Sequence, residues 1–260
     1  MDISFSALFS FLKSVLYAFS SDRPLRRHDV RRVISRQIYF TGFEALRLLS
    51  LFAVILGLLA ITQSVTQLKK WGGSEALGPI LVAVFLRELG PLITILIVTA
   101  RSVTAVTSEL ASMRASGESD SLRASGVSPL SYLVIPRVIG GALSTFFLAL
   151  HFVAIALFVG FLALQLFVEV SVEKYFVAFF SSINTVDIFL FTVKTLGLGW
   201  VVFLVACFAG LRTAGTNYEI PQATTRAVMW SFMMALSLQV FFSALYYFYQ
   251  LQSKGWLRWF

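Results

Sequence analysis

Arg87 and Glu88 are the residues from which any chemistry in this chain has to start: adjacent, opposite in charge, and followed at once by Leu89, Gly90 and Pro91. They interrupt an apolar run that extends from about Ala76 to Val106. An ionisable side chain at the centre of a bilayer costs roughly 2.5–3.5 kcal/mol on insertion scales, so the pair should face a bundle interior, a water-filled cavity or one another. Side chains one residue apart diverge by about 100° around a helix, so each needs its own partner. Pro91 removes a backbone donor and crowds the preceding turn, which predicts a kink or local unwinding just after the pair. Two roles are open: tying this run to its neighbours by buried hydrogen bonds, or giving a polar lining to a lipid head group.

The second chemically suggestive string lies between Ser102 and Pro129 and carries Glu109, Arg114, Glu118, Asp120 and Arg123. Leu110, Met113 and Leu122 give it an amphipathic helical pattern, and Gly117 and Gly126 permit breaks. It reads either as a solvated connection or as a short helix parallel to the membrane that docks into a groove on a soluble partner. Other polar residues carry less. His151 reads as a hydrogen-bonded core residue, since no carboxylate neighbours it in sequence. Asp187 and Lys194, seven apart and so on one helix face, read as flanking the outer end of a span. The aromatic cluster from Phe241 to Tyr249, with Trp256 and Trp259 beyond it, reads as an interfacial belt, and secondarily as a contact for an external partner.

Composition sets the context for both strings. Of 260 residues, 58% are apolar and 13% charged, and 26 are Phe, against roughly 45–50% apolar and 25% charged in soluble domains. A polytopic membrane protein follows. The net charge of +8 then points to a membrane surface rather than to nucleic acid. The single cysteine, Cys207, excludes an internal disulfide, and with His28 and His151 it is too little for a zinc cluster. No phosphate-cradling glycine loop is present, so ATP, if used, is bound by another subunit. No nucleophile–base pair is evident, so no catalytic residue and no metal site are expected. Met1 to Ser20 lacks the charge order and cleavage site of a signal peptide.

Several elements must position these residues. Ile3, Leu8, Phe9, Phe11, Leu12, Val15, Leu16 and Phe19 recur at helical spacing, as in a helix lying in the membrane interface. A basic stretch, Arg23, Arg26, Arg27, Arg31, Arg32 and Arg36, follows and reads as a cytoplasmic flank or, less readily, as a specific site for anionic lipid head groups. Five spans are expected: the first centred on Leu48 to Ile61 with flanks to Gly42 and Val65, then Ala76 to Val106, Leu130 to Val168, Val186 to Leu211, and Ala227 to Tyr249, each sufficient for a bilayer that needs about 20 residues. Lys69, Lys70, Trp71, Gly72 and Gly73 are expected to form the first turn. No charge occurs from Val138 to Val168, a helix of about 46 Å that should tilt or protrude. The basic residues concentrate on the side of the N-terminus, giving N-terminus cytoplasmic and C-terminus outside. No internal repeat is apparent, against an inverted-repeat secondary transporter. The chain thus divides into an interfacial helix and basic flank over residues 1–40 and an all-α transmembrane domain over 41–260, with a cytoplasmic segment at about 107–129.

Arg87-Glu88-Leu89-Gly90-Pro91, Ala100-Arg101, Glu109-Leu110, Met113-Arg114, Leu122, Gly126-Val127, Pro129, Pro136-Arg137 and Ala223-Thr224-Thr225-Arg226-Ala227-Val228 together resemble the MlaE/YrbE family, permease subunits of ABC transporters that work with MCE proteins. The likeness covers about residues 36 to 249 and is densest from Leu86 to Arg137. It implies a homodimer of five-span subunits in the inner membrane, each with an N-terminal interfacial helix and the C-terminus periplasmic, enclosing an outward-facing cavity for phospholipid or a related lipid. It further implies ATP and Mg on cytoplasmic ABC ATPases that engage a coupling helix between the second and third spans, a periplasmic MCE ring above the cavity, a small STAS-type accessory protein, and a part in outer-membrane lipid asymmetry. On matching positions Arg87, Glu88, Gly90 and Pro91 become lipid-cavity or gating residues, and Glu109, Met113, Arg114, Glu118, Leu122 and Gly126 become ATPase-coupling residues. Two departures stand out: Gly117-Glu118 where the family usually has Glu-Gln, and Gln239 where an Asp is common in the last span. The rival readings are an ion-coupled secondary transporter, using Arg87 and Glu88 as coupling charges, and a non-transporting scaffold.

Overall fold

A computed structural model describes residues 5–22, 28–71, 77–167 and 172–253. Among these residues the chain is helical and contains no strand. We label the helices α1 (Phe5–Asp22), α2 (His28–Gly42), α3 (Leu46–Trp71), α4 (77–115), α5 (Glu118–Ala124), α6 (130–167), α7 (Val172–Ser181), α8 (Thr185–Leu211) and α9 (Ile220–Ser253). Five stretches are long and apolar enough to cross a membrane: Val30–Gln63, Gly78–Ala115, Leu130–Leu166, Thr185–Leu211 and Ile220–Gln252. The all-α polytopic class expected from composition is the one observed, and the third and fourth spans start and stop where the apolar runs do.

The other boundaries differ from expectation. Helix α2 begins at His28 within the basic stretch, so Arg31, Arg32 and Arg36 ride on its exposed side, while Val30, Gln37 and Thr41 are buried on the other. A single 3-10 turn, Phe43–Ala45, joins α2 to α3. Helix α3 continues through Lys69, Lys70 and Trp71, so those three are helical and not a turn. Helix α4 does not stop near Val106 but runs on to Ala115, helix α7 occupies part of what read as a connection, and α9 starts before Ala227. Arg23, Arg26, Arg27, Gly72, Gly73, Trp256 and Trp259 lie outside the described residues.

Helix α4 is not uniformly α-helical. Val82–Leu89 and Thr99–Val103 are π-helical, and so is Leu130–Val134 at the start of α6. Such widened turns are rare and often sit at functional sites. Here each contains, or shortly precedes, an arginine held by a carboxylate, and in two of the three also by a backbone carbonyl: Arg87 by Asp187, Arg101 by Glu44 and the Phe40 carbonyl, and Arg137 by Glu109 and the Leu133 carbonyl.

The chain forms two compact units. One comprises Met1–Ala45, Ile95–Thr145 and Leu196–Leu236. In it α1 buries Leu8, Val15 and Ala18 and sets the Phe11 ring edge-on to Phe208 at 5.3 Å, while Phe9, Leu16, Tyr17 and Phe19 stay exposed. A helix apolar on both sides, one of them packed on protein, suits a position against lipid tails. Small residues bring helices close, as is general in membranes: a Cβ at Gly210 of α8 would lie 2.8 Å from Leu110 Cβ of α4, and one at Gly140 of α6 would lie 2.9 Å from Gln37 Cβ of α2. The other unit comprises Leu46–Thr94, Phe146–Thr195 and Ser237–Phe260. There Gly57 of α3 packs against the Ala156 backbone of α6, and Ser50 Oγ lies 2.8 Å from His151 Nε2, the hydrogen-bonded role expected of that histidine. Tyr175 of α7 is buried and donates to the Leu157 carbonyl at 3.3 Å; burial pushes its phenol well above the ordinary tyrosine range.

Candidate functional site

Pro91 dictates the local geometry in α4. Lacking an N–H, it cannot donate to the Arg87 carbonyl one turn back, and its ring crowds that carbonyl. The turn widens, so that the Gly90 N–H reaches the Phe85 carbonyl, five residues back. Glycine is required at 90 because a Cβ there would lie 2.6 Å from the Phe85 oxygen and 2.9 Å from Val153 Cγ2. The carbonyl that Pro91 leaves without its regular donor is taken by an ammonium: Lys194 Nζ of α8 donates to the Arg87 oxygen at 2.7 Å. Lys194 also donates to Ser243 Oγ of α9 at 2.9 Å and meets Glu88 Oε2 at 3.3 Å.

Arg87 and Glu88 do have separate partners, as their divergence on the helix requires. Arg87 Nε donates to Asp187 Oδ1 at 2.8 Å and Nη2 to Oδ2 at 3.1 Å, a two-pronged pair in which the Asp187 side chain is fully buried. The guanidinium lies over the Tyr246 ring, 4.5 Å from its centre. Glu88 accepts from Ser243 Oγ at 2.8 Å and from Gln239 Nε2 at 3.3 Å. The two acids and two bases neutralise one another, and the polar cluster they line encloses only about 20 Å³, room for about one water. In this arrangement the cluster is latched shut and has no space for a head group.

Asp187 and Lys194 are the residues whose role sequence reasoning missed. Asp187 does lie in the first turn of α8, but neither is a solvated flank: Lys194 is 4% exposed and Asp187 1%. The available signal was charge balance: two opposite charges on α8 match two on α4, and single groups so costly in hydrocarbon demand counter-ions. Asp187 also caps α8, since its Oδ2 accepts the Asn184 N–H at 3.0 Å, the return half of a capping box. In the last span Gln239 donates to the Glu88 backbone and carboxylate at 3.3 Å. Within the aromatic cluster Phe242 and Tyr246 line the charge site, while Phe241, Tyr247, Phe248 and Tyr249 are exposed as a belt would be.

The expected coupling residues form a second, separate group. Helix α4 ends at Ala115; Gly117 turns the chain with φ +78° and α5 follows. At its end Gly126, with φ +75°, makes the paired closing bonds of a Schellman motif: Val127 N–H to the Leu122 carbonyl and Gly126 N–H to the Arg123 carbonyl, both 3.0 Å. Glu118 and Asp120 occupy the first turn of α5, where acids complement the helix dipole. Arg114 ties α5 back to α4 through Asp120 Oδ1 at 2.7 Å and Ser119 Oγ at 3.3 Å. Glu118 is exposed, its Oε1 accepting from Ser116 Oγ at 3.2 Å; Met113 and Leu122 are half-buried. Glu109 is bound by a residue the coupling set omits, Arg137, at 2.9 Å. Arg101 is likewise a fastener, donating to the Phe40 carbonyl at 3.0 Å and pairing with Glu44. The result is a short helix with an exposed acidic first turn, tied to the end of a span.

Comparison with known proteins matches residues 34–245 to the family described as Permease MlaE. A probable ABC transporter permease protein of Rickettsia prowazekii is 26% identical over 233 residues, 90% of this chain and 85% of that one. The intermembrane phospholipid transport system permease protein MlaE of Haemophilus influenzae is 27% identical over 214 residues, 82% of each. The chloroplastic protein trigalactosyldiacylglycerol 1 of Arabidopsis thaliana is 28% identical over 196 residues, 75% of this chain and 56% of that one.

Proposed function

We propose, from the premise that the chain belongs to the MlaE permease family, that it moves phospholipid or a related lipid between the inner membrane and a periplasmic MCE ring, powered by ATPase subunits. The chain is a permease subunit and is not itself catalytic; ATP and Mg belong to the partner. Two copies form the transporting dimer, the N-terminus and α5 face the cytoplasm, and the C-terminus faces the periplasm. A small STAS-type protein completes the assembly on the ATPase side.

The observation that carries the mechanism is the latched quartet of Arg87, Glu88, Asp187 and Lys194 around the Pro91 turn. A neutral, closed cluster is a two-state element of the kind coupling requires. In one state the pairs are joined as described; in the other they part and present charged and hydroxyl groups to a lipid phosphate in the cavity. Arg87 and Glu88 are therefore gating residues, with Gly90 and Pro91 supplying the widened turn on which they move. Nucleotide state on the ATPase acts through α5 and the end of α4, where the exposed Glu118 and half-buried Leu122 of α5 and the half-buried Met113 of α4 form the docking surface, and the bonds from Arg114 to α5 transmit the movement into α4.

The test is reconstitution of the full chain with the ATPase and MCE products of neighbouring genes in vesicles carrying fluorescent phospholipid. ATP-dependent lipid transfer that stops when the ATPase is omitted supports the proposal. Transfer driven by a proton or sodium gradient without nucleotide would establish the secondary-transporter reading instead, and no transfer under either condition would leave a scaffold.

A further inference from the structure

A second cavity, in the unit that does not contain the charge quartet, is built for an anion. It measures about 300 Å³ and is lined by Val33, Arg36, Gln37 and Phe40 of α2, Ala105 and Glu109 of α4, and Arg137 of α6, at the lower end of the roughly 300–1,000 Å³ of small-molecule sites. Arg137 is 5% exposed. Its Nη1 donates to the Leu133 carbonyl and its Nη2 to Glu109 Oε1, both at 2.9 Å, but its buried Nε–H has no partner among the described residues. A buried donor without an acceptor is unfavourable. Arg36, across the cavity, is exposed and makes no ion pair among the described residues. Gln37 donates its amide nitrogen to Thr41 Oγ1 at 2.7 Å. The residues lining the cavity thus carry one excess positive charge: Arg36 and the buried Arg137 against the half-exposed Glu109.

We propose that this cavity binds one phosphate group, with Arg137 at its floor and Arg36 at its mouth. A guanidinium presents N–H groups in a fixed fork that suits phosphate oxygens, and basic pockets between membrane helices are where phospholipid head groups are held. Glycine at 140 allows α2 to lie close enough on α6 to bring the two arginines to one cavity. The site is independent of lipid transport: it needs neither nucleotide nor partner, and its occupant would brace α2 against α4 and α6.

The full chain in neutral detergent is titrated with short-chain phosphatidylglycerol, and separately with inorganic phosphate, and bound molecules are counted by native mass spectrometry. One tightly retained molecule is expected. R36Q should weaken its retention by about tenfold while R32Q, an exposed arginine of α2 that does not line the cavity, leaves it unchanged. E109Q should strengthen retention, because the carboxylate competes for Arg137; a purely structural Glu109 would give no such gain. R137K, which keeps the charge but loses the fork, should weaken it as R36Q does. Retention of phosphatidylglycerol that millimolar phosphate fails to displace identifies a lipid head group; retention of phosphate alone identifies a soluble ligand. The proposal is overturned if neither is retained in single copy, if R32Q and R36Q act alike, or if E109Q weakens binding. Since ATP-driven transfer is not read, failure here leaves the permease function standing, and failure there leaves this site standing.

Discussion

Replacing Lys194 with Met tests the charge quartet most directly, because that ammonium satisfies three acceptors on two helices. Its loss removes a charge-assisted bond to Glu88, of a kind worth about 1.5–3 kcal/mol, and strands the Arg87 carbonyl that Pro91 has already deprived of its donor, at about 1–3 kcal/mol. Glu88 softens the loss: its side chain is 33% exposed, so water screens the freed carboxylate, and Ser243 and Gln239 still donate to it. K194M should therefore cost about 2–4 kcal/mol in total. E88Q should cost less, about 1–2 kcal/mol, since Lys194 keeps the Arg87 carbonyl and Ser243 as neutral acceptors. With the carboxylate gone, K194M no longer strands a charge, so the double variant should be about 1–2 kcal/mol more stable than the sum of the singles. Equilibrium unfolding in mixed micelles of rising SDS fraction, followed by helical circular dichroism, gives all four values. Additivity within about 0.5 kcal/mol would show that the two groups do not interact and would refute the assignment of Lys194 as the counter-ion of Glu88.

Three further outcomes follow from the same geometry. G90A should lower stability by about 1–3 kcal/mol, the usual range for overpacking, because its Cβ meets a backbone oxygen at 2.6 Å; an unchanged unfolding midpoint would mean that the widened turn is not constrained. G126A forces a side chain into a left-handed conformation at about 1–2 kcal/mol, and amide exchange at Val127 should quicken as the closing bonds of α5 weaken. E118K alters an exposed residue, so stability should stay within about 0.5 kcal/mol, while co-purification with the cognate ATPase is lost; retained co-purification would remove Glu118 from the docking surface.

What the sequence disclosed and what it hid have physical causes. The spans were legible because apolar runs of that length have one use. Their ends were not, because a helix continues for as long as its polar side chains find partners: Arg101 finds Glu44 and the Phe40 carbonyl, Glu109 finds Arg137, and so α2 and the last turns of α4 stay helical beyond the apolar stretch. Gly117 and Gly126 broke the chain where expected, since left-handed backbone favours glycine. Arg87 and Glu88 were conspicuous because charge is scarce in hydrocarbon. Asp187 and Lys194 were equally scarce but lie near one end of a run, where a charge also reads as a flank; only the packing of α8 beside α4 within one unit distinguishes the cases. The resemblance to the family singled out Arg87 and Glu88 but not their partners on α8, so the pairing had to come from geometry.

Arg87 and Asp187 separate a gate from a tie. If the pair merely fastened α4 to α8, apolar replacement of both members would be neutral or stabilising, by up to about 4 kcal/mol, because no charge would remain to be desolvated. Deleting one member alone strands the other, at about 3–5 kcal/mol, and Asp187, fully buried, would bear nearly all of that in R87M. The double variant R87M/D187N isolates the question, since Asn at 187 retains an oxygen for the Asn184 N–H and so preserves the α8 cap that Asp187 provides. Stability should therefore fall in R87M and recover in R87M/D187N. Lipid transfer should fall in R87M and stay low in the double variant, because a pair without charge has nothing to exchange with a phosphate when it parts. Transfer that recovers together with stability would make the pair a fastener, and the gating role assigned to Arg87 would have to be given up.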